Sequence, residues 1–164
     1  MYAEHQKLAQ CVGTWDARLE GLGMDGKPQV SAGVSVQKLG PGGFWLLDDF
    51  TAEMMGMQFT GHGALGFDPE KKVYVQSWID STTPMLMVFT GTFDKDGKVL
   101  TMSGMGPGMD GKPVKMRNVT TFASADSMTF EMFAPGPDGK EMKMLTITYT
   151  RRGEKKAENA GAKK

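Results

Sequence analysis

The sequence predicts an all-β protein: an antiparallel up-and-down β-barrel of about ten strands, with a short N-terminal helix. Two observations predict this class. Short runs of alternating apolar and polar residues recur along the chain, and turn sequences rich in Gly, Asp and Pro separate them. Glycine is also frequent, with 22 of 164 residues, which is typical of a chain that reverses direction many times.

The hexapeptide GMDGKP occurs twice, at Gly23–Pro28 and at Gly108–Pro113. Each copy stands between two alternating runs, and Asp-Gly tolerates the positive φ that a tight hairpin requires. We interpret the repeat as a turn used twice rather than a duplicated domain, because the flanking runs share a pattern and not their letters. DKDGK from Asp94 and GPDGK from Gly136 predict two further hairpins.

The runs between the turns predict the strands and their order. They lie near residues 13–22, 30–39, 44–53, 57–66, 72–81, 85–94, 98–105, 113–123, 127–134 and 142–151. The opening stretch YAEHQKLAQC is the helix candidate. Sequential hairpins favour a closed up-and-down order, which removes exposed sheet edges, and a β-sandwich is the alternative. We assign residues 1–152 to one domain and 153–164, which lack large apolar residues, to a disordered tail.

Charge and composition exclude several classes of function. Lys+Arg and Asp+Glu both number 19, so no net field attracts nucleic acid. The apolar runs are too short to insert into a bilayer. The single Cys11 excludes an internal disulfide. The single cysteine and the lack of a cationic leader favour the cytoplasm. If a signal peptide had been removed from this chain, the protein would be periplasmic or secreted. The sequence leaves a homo-oligomer open.

Both ends of the predicted barrel carry a recognisable pattern. GTW at Gly13–Trp15 opens the first strand, and TYTRR at Thr148–Arg152 closes the last. This resembles the calycin pattern of lipocalins and fatty-acid-binding proteins, in which such a Trp packs under a basic residue from the last strand. The resemblance implies that Trp15 closes the bottom of the barrel, with Arg151 or Arg152 stacked on it by a cation–π contact.

Longer segments carry a more specific resemblance. HQKLAQCVGTWD, GFWLLDDFTAEMMGMQFTGHGALGFDPEKKVYVQSWIDS and GKPVKMRNVTTF together look like a bacterial lipocalin-like family, domain of unknown function 1579. The resemblance covers nearly all of residues 3–152. It supports the barrel, and a barrel of eight to ten strands is wide enough for one small ligand. It implies no activity, because the family has none assigned and a fold alone does not supply one.

His62 is the first candidate site residue, because it stands between two glycines in FTGHGALG. One interpretation makes it an inward ligand, for example an axial haem ligand. The alternative is an outward or hydrogen-bonded histidine in a polar strip. We predict no zinc site, because the other histidine, His5, falls in the helix.

Acidic residues on apolar strand faces are the second group. Asp80 shares a strand face with Trp78, and Asp48 shares one with apolar neighbours. A carboxylate inside a barrel requires a partner, and Arg117 is the natural candidate. Such a pair could anchor the polar end of a ligand. A structural ion pair and acids on the solvated face are the alternatives.

The chain has 15 methionines, many of them alternating along strands. They suit core filling, a deformable lumen for an apolar ligand, or thioether binding of Cu(I) in EMMGM. The strand period favours the first two interpretations, so we predict no metal. The candidate ligand-binding residues are His62, Asp80, Trp78, Arg117, Trp45, Met87, Phe89 and Met132.

The predicted function is therefore non-catalytic binding of a small apolar or amphipathic molecule in the barrel. No nucleophile stands beside a base in a local motif, so an enzyme is the less favoured interpretation. One alternative is a haem-binding or enzymatic barrel that uses His62. Another is a barrel with a solid core and a structural or protein-interaction role.

Overall fold

The computed structural model describes residues 2–23 and 26–153 and confirms the closed antiparallel barrel. Within these residues it has one α-helix, α1 (Ala3–Ala9), a 3₁₀ turn (Pro41–Gly43) and ten strands. The strands are β1 (Gly13–Leu22), β2 (Pro28–Leu39), β3 (Trp45–Met54), β4 (Met57–Asp68), β5 (Val73–Asp80), β6 (Thr83–Phe93), β7 (Val99–Pro107), β8 (Pro113–Ser124), β9 (Ser127–Pro135) and β10 (Glu141–Arg151).

Each strand pairs with its neighbours in sequence, and β10 pairs with β1 to close the barrel. The order is up-and-down, which excludes the β-sandwich alternative. The predicted strand boundaries differ from the observed ones by at most two residues. The predicted disordered tail, residues 153–164, lies outside the described residues apart from Gly153.

The repeated hexapeptide forms a hairpin turn. In the second copy, Gly111 N–H donates to Gly108 O at 2.9 Å and Gly108 N–H donates to Lys112 O at 2.7 Å. Gly111 has a φ of 77°, which favours glycine. The same two bonds occur in Gly23–Pro28, of which residues 24 and 25 lie outside the described residues, and in Gly136–Lys140. The repeat is thus a hairpin turn that ends in a glycine with left-handed backbone conformation.

The connections define two different ends of the barrel. The end that carries α1, here called the helix end, also holds the β2–β3, β4–β5, β6–β7 and β8–β9 connections. The opposite end, here called the mouth, holds the other five hairpin turns. Position along a strand therefore shows whether a residue lies near the helix end or near the mouth.

Trp15 lies at the helix end and is 2% exposed. Its indole N–H donates to Cys11 O at 2.9 Å. The Arg151 guanidinium lies 4.1 Å from the Trp15 ring centroid and donates to the carbonyl of Gln10. Arg152 instead bonds the carboxylate of Asp16. Arg151 thus joins the first and last strands over the indole ring, a cation–π contact at the seam of the barrel.

The helix α1 packs over the same end. Leu8 is 2% exposed within the core, and the Tyr74 hydroxyl donates to Glu4 O at 3.1 Å. His5 is also buried, with edge contacts to the rings of Phe44 and Phe67. These contacts cover the helix end, so access to the interior falls to the mouth.

Candidate ligand-binding cavity

The barrel encloses a cavity of about 370 Å³. Its lining extends from Cys11, beneath α1, to Thr82 and Pro107 at the mouth. Thr82 is exposed, so the cavity reaches solvent at that end. The volume falls within the range of small-molecule sites, roughly 300–1,000 Å³.

The strand period determines which side chains line this cavity. On β6, Met87 and Phe89 are buried, whereas the intervening Leu86 and Val88 are exposed. Six methionines belong to the lining: Met54, Met87, Met102, Met116, Met128 and Met132. Flexible thioether side chains beside aromatic rings make an apolar surface that adapts to different shapes.

Trp78 explains the glycines on either side of His62. A Cβ at Gly61 would overlap the benzo ring of Trp78, and one at Gly63 would lie 3.0 Å from Cε3 of the same ring. The indole therefore lies across the inner face of β4, where only glycine leaves room. Its Nε1 donates to Asp80 Oδ2 at 3.0 Å, which fixes the ring at the cavity wall.

His62 lies on the outer face of β4, contrary to its interpretation as an inward ligand. Because the glycines that flank it face the interior, the alternation of the strand turns His62 outward. Its Nδ1 lies 2.7 Å from Asp49 Oδ1, and its side chain is 47% exposed. That contact holds the pKa of Asp49 below its usual range. No histidine among the described residues lines the cavity, so the geometry gives no support to an axial haem ligand there.

Arg117 and Trp45 also face outward. Arg117 stacks on Phe133 at 4.2 Å, and its Nη2 lies 2.6 Å from Glu141 Oε1. It faces outward because both its neighbours on β8 are buried. Trp45 is 42% exposed and packs on Gly66. The expected pairing of an interior acid with Arg117 is therefore not what the structure shows. The predicted residues that do line the cavity are Trp78, Asp80, Met87, Phe89 and Met132.

A polar cluster on β2 and β3 lies at the cavity wall instead, and two of its residues, Gln37 and Asp48, belong to the lining. Ser35 Oγ donates to Asp48 Oδ1 at 2.6 Å. Gln37 Nε2 donates to Ser35 Oγ at 3.0 Å and lies 3.5 Å from Asp48 Oδ2. Burial raises the pKa of Asp48 to about 6, and the hydrogen bond from Ser35 opposes the rise. Asp48 is the polar residue that the sequence analysis noted but did not select.

Two further acceptors in the lining have no protein partner. Gln37 Oε1 and Asn118 Oδ1 are buried without a hydrogen bond, and their residues are 7% and 6% exposed. Orphan acceptors of this kind are uncommon, because an unsatisfied buried polar atom costs about 1–3 kcal/mol. Sequence reasoning missed both residues. Asn118 shares its strand phase with Met116 and Phe122, which is a signal that could have identified it. Gln37 lies out of phase with Val34 and Val36, so the alternation of β2 points to the wrong face.

The Cys11 thiol and the Tyr149 hydroxyl of the lining are neutral at ordinary pH. Burial raises the pKa of the Cys11 thiol to about 12. Burial also raises the pKa of Tyr149, and the charge of Asp48 adds to the effect. No Lys, Arg or His side chain of residues 2–23 and 26–153 lines the cavity. Its formal charge therefore comes from Asp48 and Asp80 alone within that part of the chain.

A family model described as "Protein of unknown function (DUF1579)" matches residues 1–151. The chain belongs to the DUF1579 family. A search of curated protein sequences found no match. Among the described residues of this DUF1579 protein, none of the helices has the length and apolarity to cross a bilayer. The same residues contain no group of three or more His, Cys, Asp or Glu side chains that could hold a metal ion.

Solved structures of similar fold include Rv2717c from M. tuberculosis, with 14% identity and a TM-score of 0.71, over 93% of this chain and 99% of that one. The S-type phycobiliprotein lyase CPES from Guillardia theta matches with 11% identity and a TM-score of 0.59, over 94% and 99%. EF1p2_mFAP2b, bound to DFHBI, matches with 14% identity and a TM-score of 0.50, over 92% and 100%. At these identities the similarity shows the barrel fold alone.

Proposed function

We propose that this DUF1579 protein binds a small, largely apolar molecule inside its barrel. The observation that carries the proposal is the cavity of about 370 Å³, lined mainly by Met, Phe, Leu and Trp side chains and reaching solvent at the mouth. Interiors that serve only structure are close-packed and have few voids larger than a water molecule. An apolar space of this size costs stability unless a ligand fills it.

One structural neighbour supports the proposal. EF1p2_mFAP2b is bound to DFHBI, so a barrel of similar fold accommodates a small organic molecule. In this chain, Trp78, Phe89, Met87 and Met132 would supply the apolar contact area. Asp80, held by Trp78 at the mouth, would meet the polar end of a ligand as it enters.

Binding is a better supported function than nucleophilic catalysis in this cavity. The Cys11 thiol, with a pKa raised to about 12, is protonated at neutral pH and supplies no thiolate. The Ser35 hydroxyl donates a hydrogen bond to Asp48, but Ser35 is fully buried and does not belong to the cavity lining, so it is not placed to attack a molecule in the cavity. The described lining contains no imidazole.

A native mass spectrum of untagged protein, purified from its natural source, tests the proposal first. We expect an added mass that identifies the class of the bound molecule. Thr120→Phe fills the cavity, whereas Thr121→Phe changes the next residue, on the opposite face of β8. The added mass should be lost in the first variant and kept in the second.

Titration with N-phenyl-1-naphthylamine, a neutral dye that fluoresces in apolar sites, provides the second measurement. We expect saturable uptake of about one dye molecule per barrel by the wild type and by Thr121→Phe, and weaker uptake by Thr120→Phe. A bare mass together with no saturable uptake would contradict the proposal and favour a purely structural barrel.

A further inference from the structure

We propose that the ligand is an amine: an apolar body with a protonated amino head group that pairs with Asp48 inside the barrel. The inference rests on the proposed binding function and names the chemical class that this cavity recognises. It follows from three features of the lining: its charge, the free acceptor capacity of Asp48 and the position of Trp78.

The charge of the lining selects against anions. Asp48 and Asp80 supply its formal charges, and no Lys, Arg or His side chain of the described ranges reaches it. A bound carboxylate would have to leave water without a cationic partner, which is expensive in an apolar interior. A bound ammonium would find a carboxylate of opposite charge there. The cavity thus has the opposite polarity to one that anchors a fatty acid through an arginine.

Asp48 retains more acceptor capacity than Asp80. Asp80 accepts from the indole of Trp78 and from both the backbone N–H and the hydroxyl of Thr82. Asp48 accepts one short bond from Ser35, and the amide of Gln37 is 3.5 Å away. A carboxylate offers about four acceptor sites, so Asp48 has room for two or more further donors. An ammonium group carries three.

The residues beside Asp48 suit the same head group. In the strand register, Asp48 pairs with Gly63, and Gly63 pairs with Trp78. Because Gly63 has no side chain, the indole of Trp78 lies across that position on the inner face. A carboxylate next to an indole ring attracts organic cations through both an ion pair and a cation–π contact.

The unpaired acceptors of the lining favour a head group that carries several hydrogen-bond donors. Gln37 pairs with Asp48 across β2 and β3, and its Oε1 is buried without a partner. Its Nε2 is already used toward Ser35 and Asp48, so the amide has only acceptor capacity left. Gln37 Oε1 is thus an unused acceptor on the residue that pairs with Asp48. Asn118 Oδ1, on the opposite side of the barrel, is a second unused acceptor.

Four probes with one apolar body test this assignment by isothermal titration calorimetry on the wild-type protein at about pH 7.5. They are 1-naphthylmethylamine, 1-naphthalenemethanol, 1-naphthoate and 1-methylnaphthalene. We expect the amine to bind more tightly than the naphthoate by about tenfold to a hundredfold, the usual worth of a hydrogen bond to a charged group. The alcohol should fall between them. Asp48→Asn should remove most of the amine's advantage, and Asp49→Asn, the next residue on the outer face, should keep it.

The outcomes separate this inference from the proposed function. Equal affinity for all four probes, or tightest binding of the naphthoate, would overturn the amine assignment while leaving the cavity a binding site. No binding of any probe would contradict both proposals. The comparison among probes uses the wild type alone, so it remains decisive even if Asp48→Asn fails to fold.

Discussion

Neutralising Asp48 should stabilise the protein. Burial raises the pKa of this carboxyl from its ordinary value of 3.8 to about 6. Because the folded pKa lies above the unfolded one, the stabilising contribution is complete below about pH 4 and is lost as the pH rises through about 6. A difference of about two pH units, at about 1.4 kcal/mol each, corresponds to about 3 kcal/mol. Asp48→Asn carries no charge and should avoid that loss.

The surrounding residues can accept the substitution. The Ser35 hydroxyl that donates to Asp48 can donate equally to an amide oxygen at that position. The amide nitrogen would face Gln37, whose own amide can turn so that its unused oxygen accepts. The rotation would exchange the unpaired Gln37 oxygen for an unpaired Gln37 nitrogen, so the number of unpaired polar groups should stay the same. The gain at about pH 7.5 should therefore be at most the cost of ionising Asp48, about 3 kcal/mol.

Urea unfolding at several pH values between about 4 and 8 measures the effect, and Asp49→Asn is the matched control. Asp49 is exposed, and its pKa is held low by His62, so its loss should slightly destabilise the protein above about pH 4. The two neighbouring substitutions should thus change the free energy of unfolding in opposite directions. A destabilised Asp48→Asn, or a gain that does not grow between about pH 4 and 7, would refute the reasoning.

Three further predictions concern packing. Trp15→Ala should lower the free energy of unfolding by about 3–5 kcal/mol in urea, because it empties a buried aromatic site; a loss below about 1 kcal/mol would contradict that role. Gly61→Ala should lower the free energy of unfolding by about 1–3 kcal/mol and shift the fluorescence of Trp78. Gly63→Ala should lower it less, since its added methyl group meets the ring less closely. A reversed order would show that Trp78 lies elsewhere. The Cys11 thiol should react with a disulfide reagent at about pH 8 only after unfolding, and fast reaction of the native protein would contradict its burial.

The architecture was predictable because it rests on local chemistry. Each Asp-Gly turn has a glycine at positive φ, as at Gly97, Gly111 and Gly139, and such a turn requires no distant contact to form. Strand boundaries follow from where these turns begin and end. Barrel closure depends on a pairing between residues as distant as Trp15 and Arg151, which periodicity does not reveal. The succession of hairpins favoured closure, and the family resemblance supported it.

The site was predictable only in part, because alternation gives two faces without saying which one is inside. For β6 the apolar face is unambiguous, so Met87 and Phe89 were selected and do line the cavity. For β4 the apolar residues Met57, Phe59 and Leu65 lie out of phase with His62, which indicated the outward alternative. The glycines beside His62 suggested close approach without saying by what. The approaching group is Trp78, from the next strand. That contact forms only in the folded barrel. The two glycines therefore mark the space taken by the Trp78 ring and not an inward His62.

The proposed amine binding would place stability and binding in conflict at Asp48. Asp48 lies on the same face of β3 as Leu46 and Phe50. A carboxylate therefore occupies a position where the strand pattern predicts an apolar residue. Departures of this kind are expected at functional sites. An amine that pairs with the ionised carboxylate would recover the free energy lost on ionisation, because a ligand stabilises the state it binds. The amine probe should therefore raise the urea midpoint of the wild type more than that of Asp48→Asn, although the unliganded variant starts from the higher value.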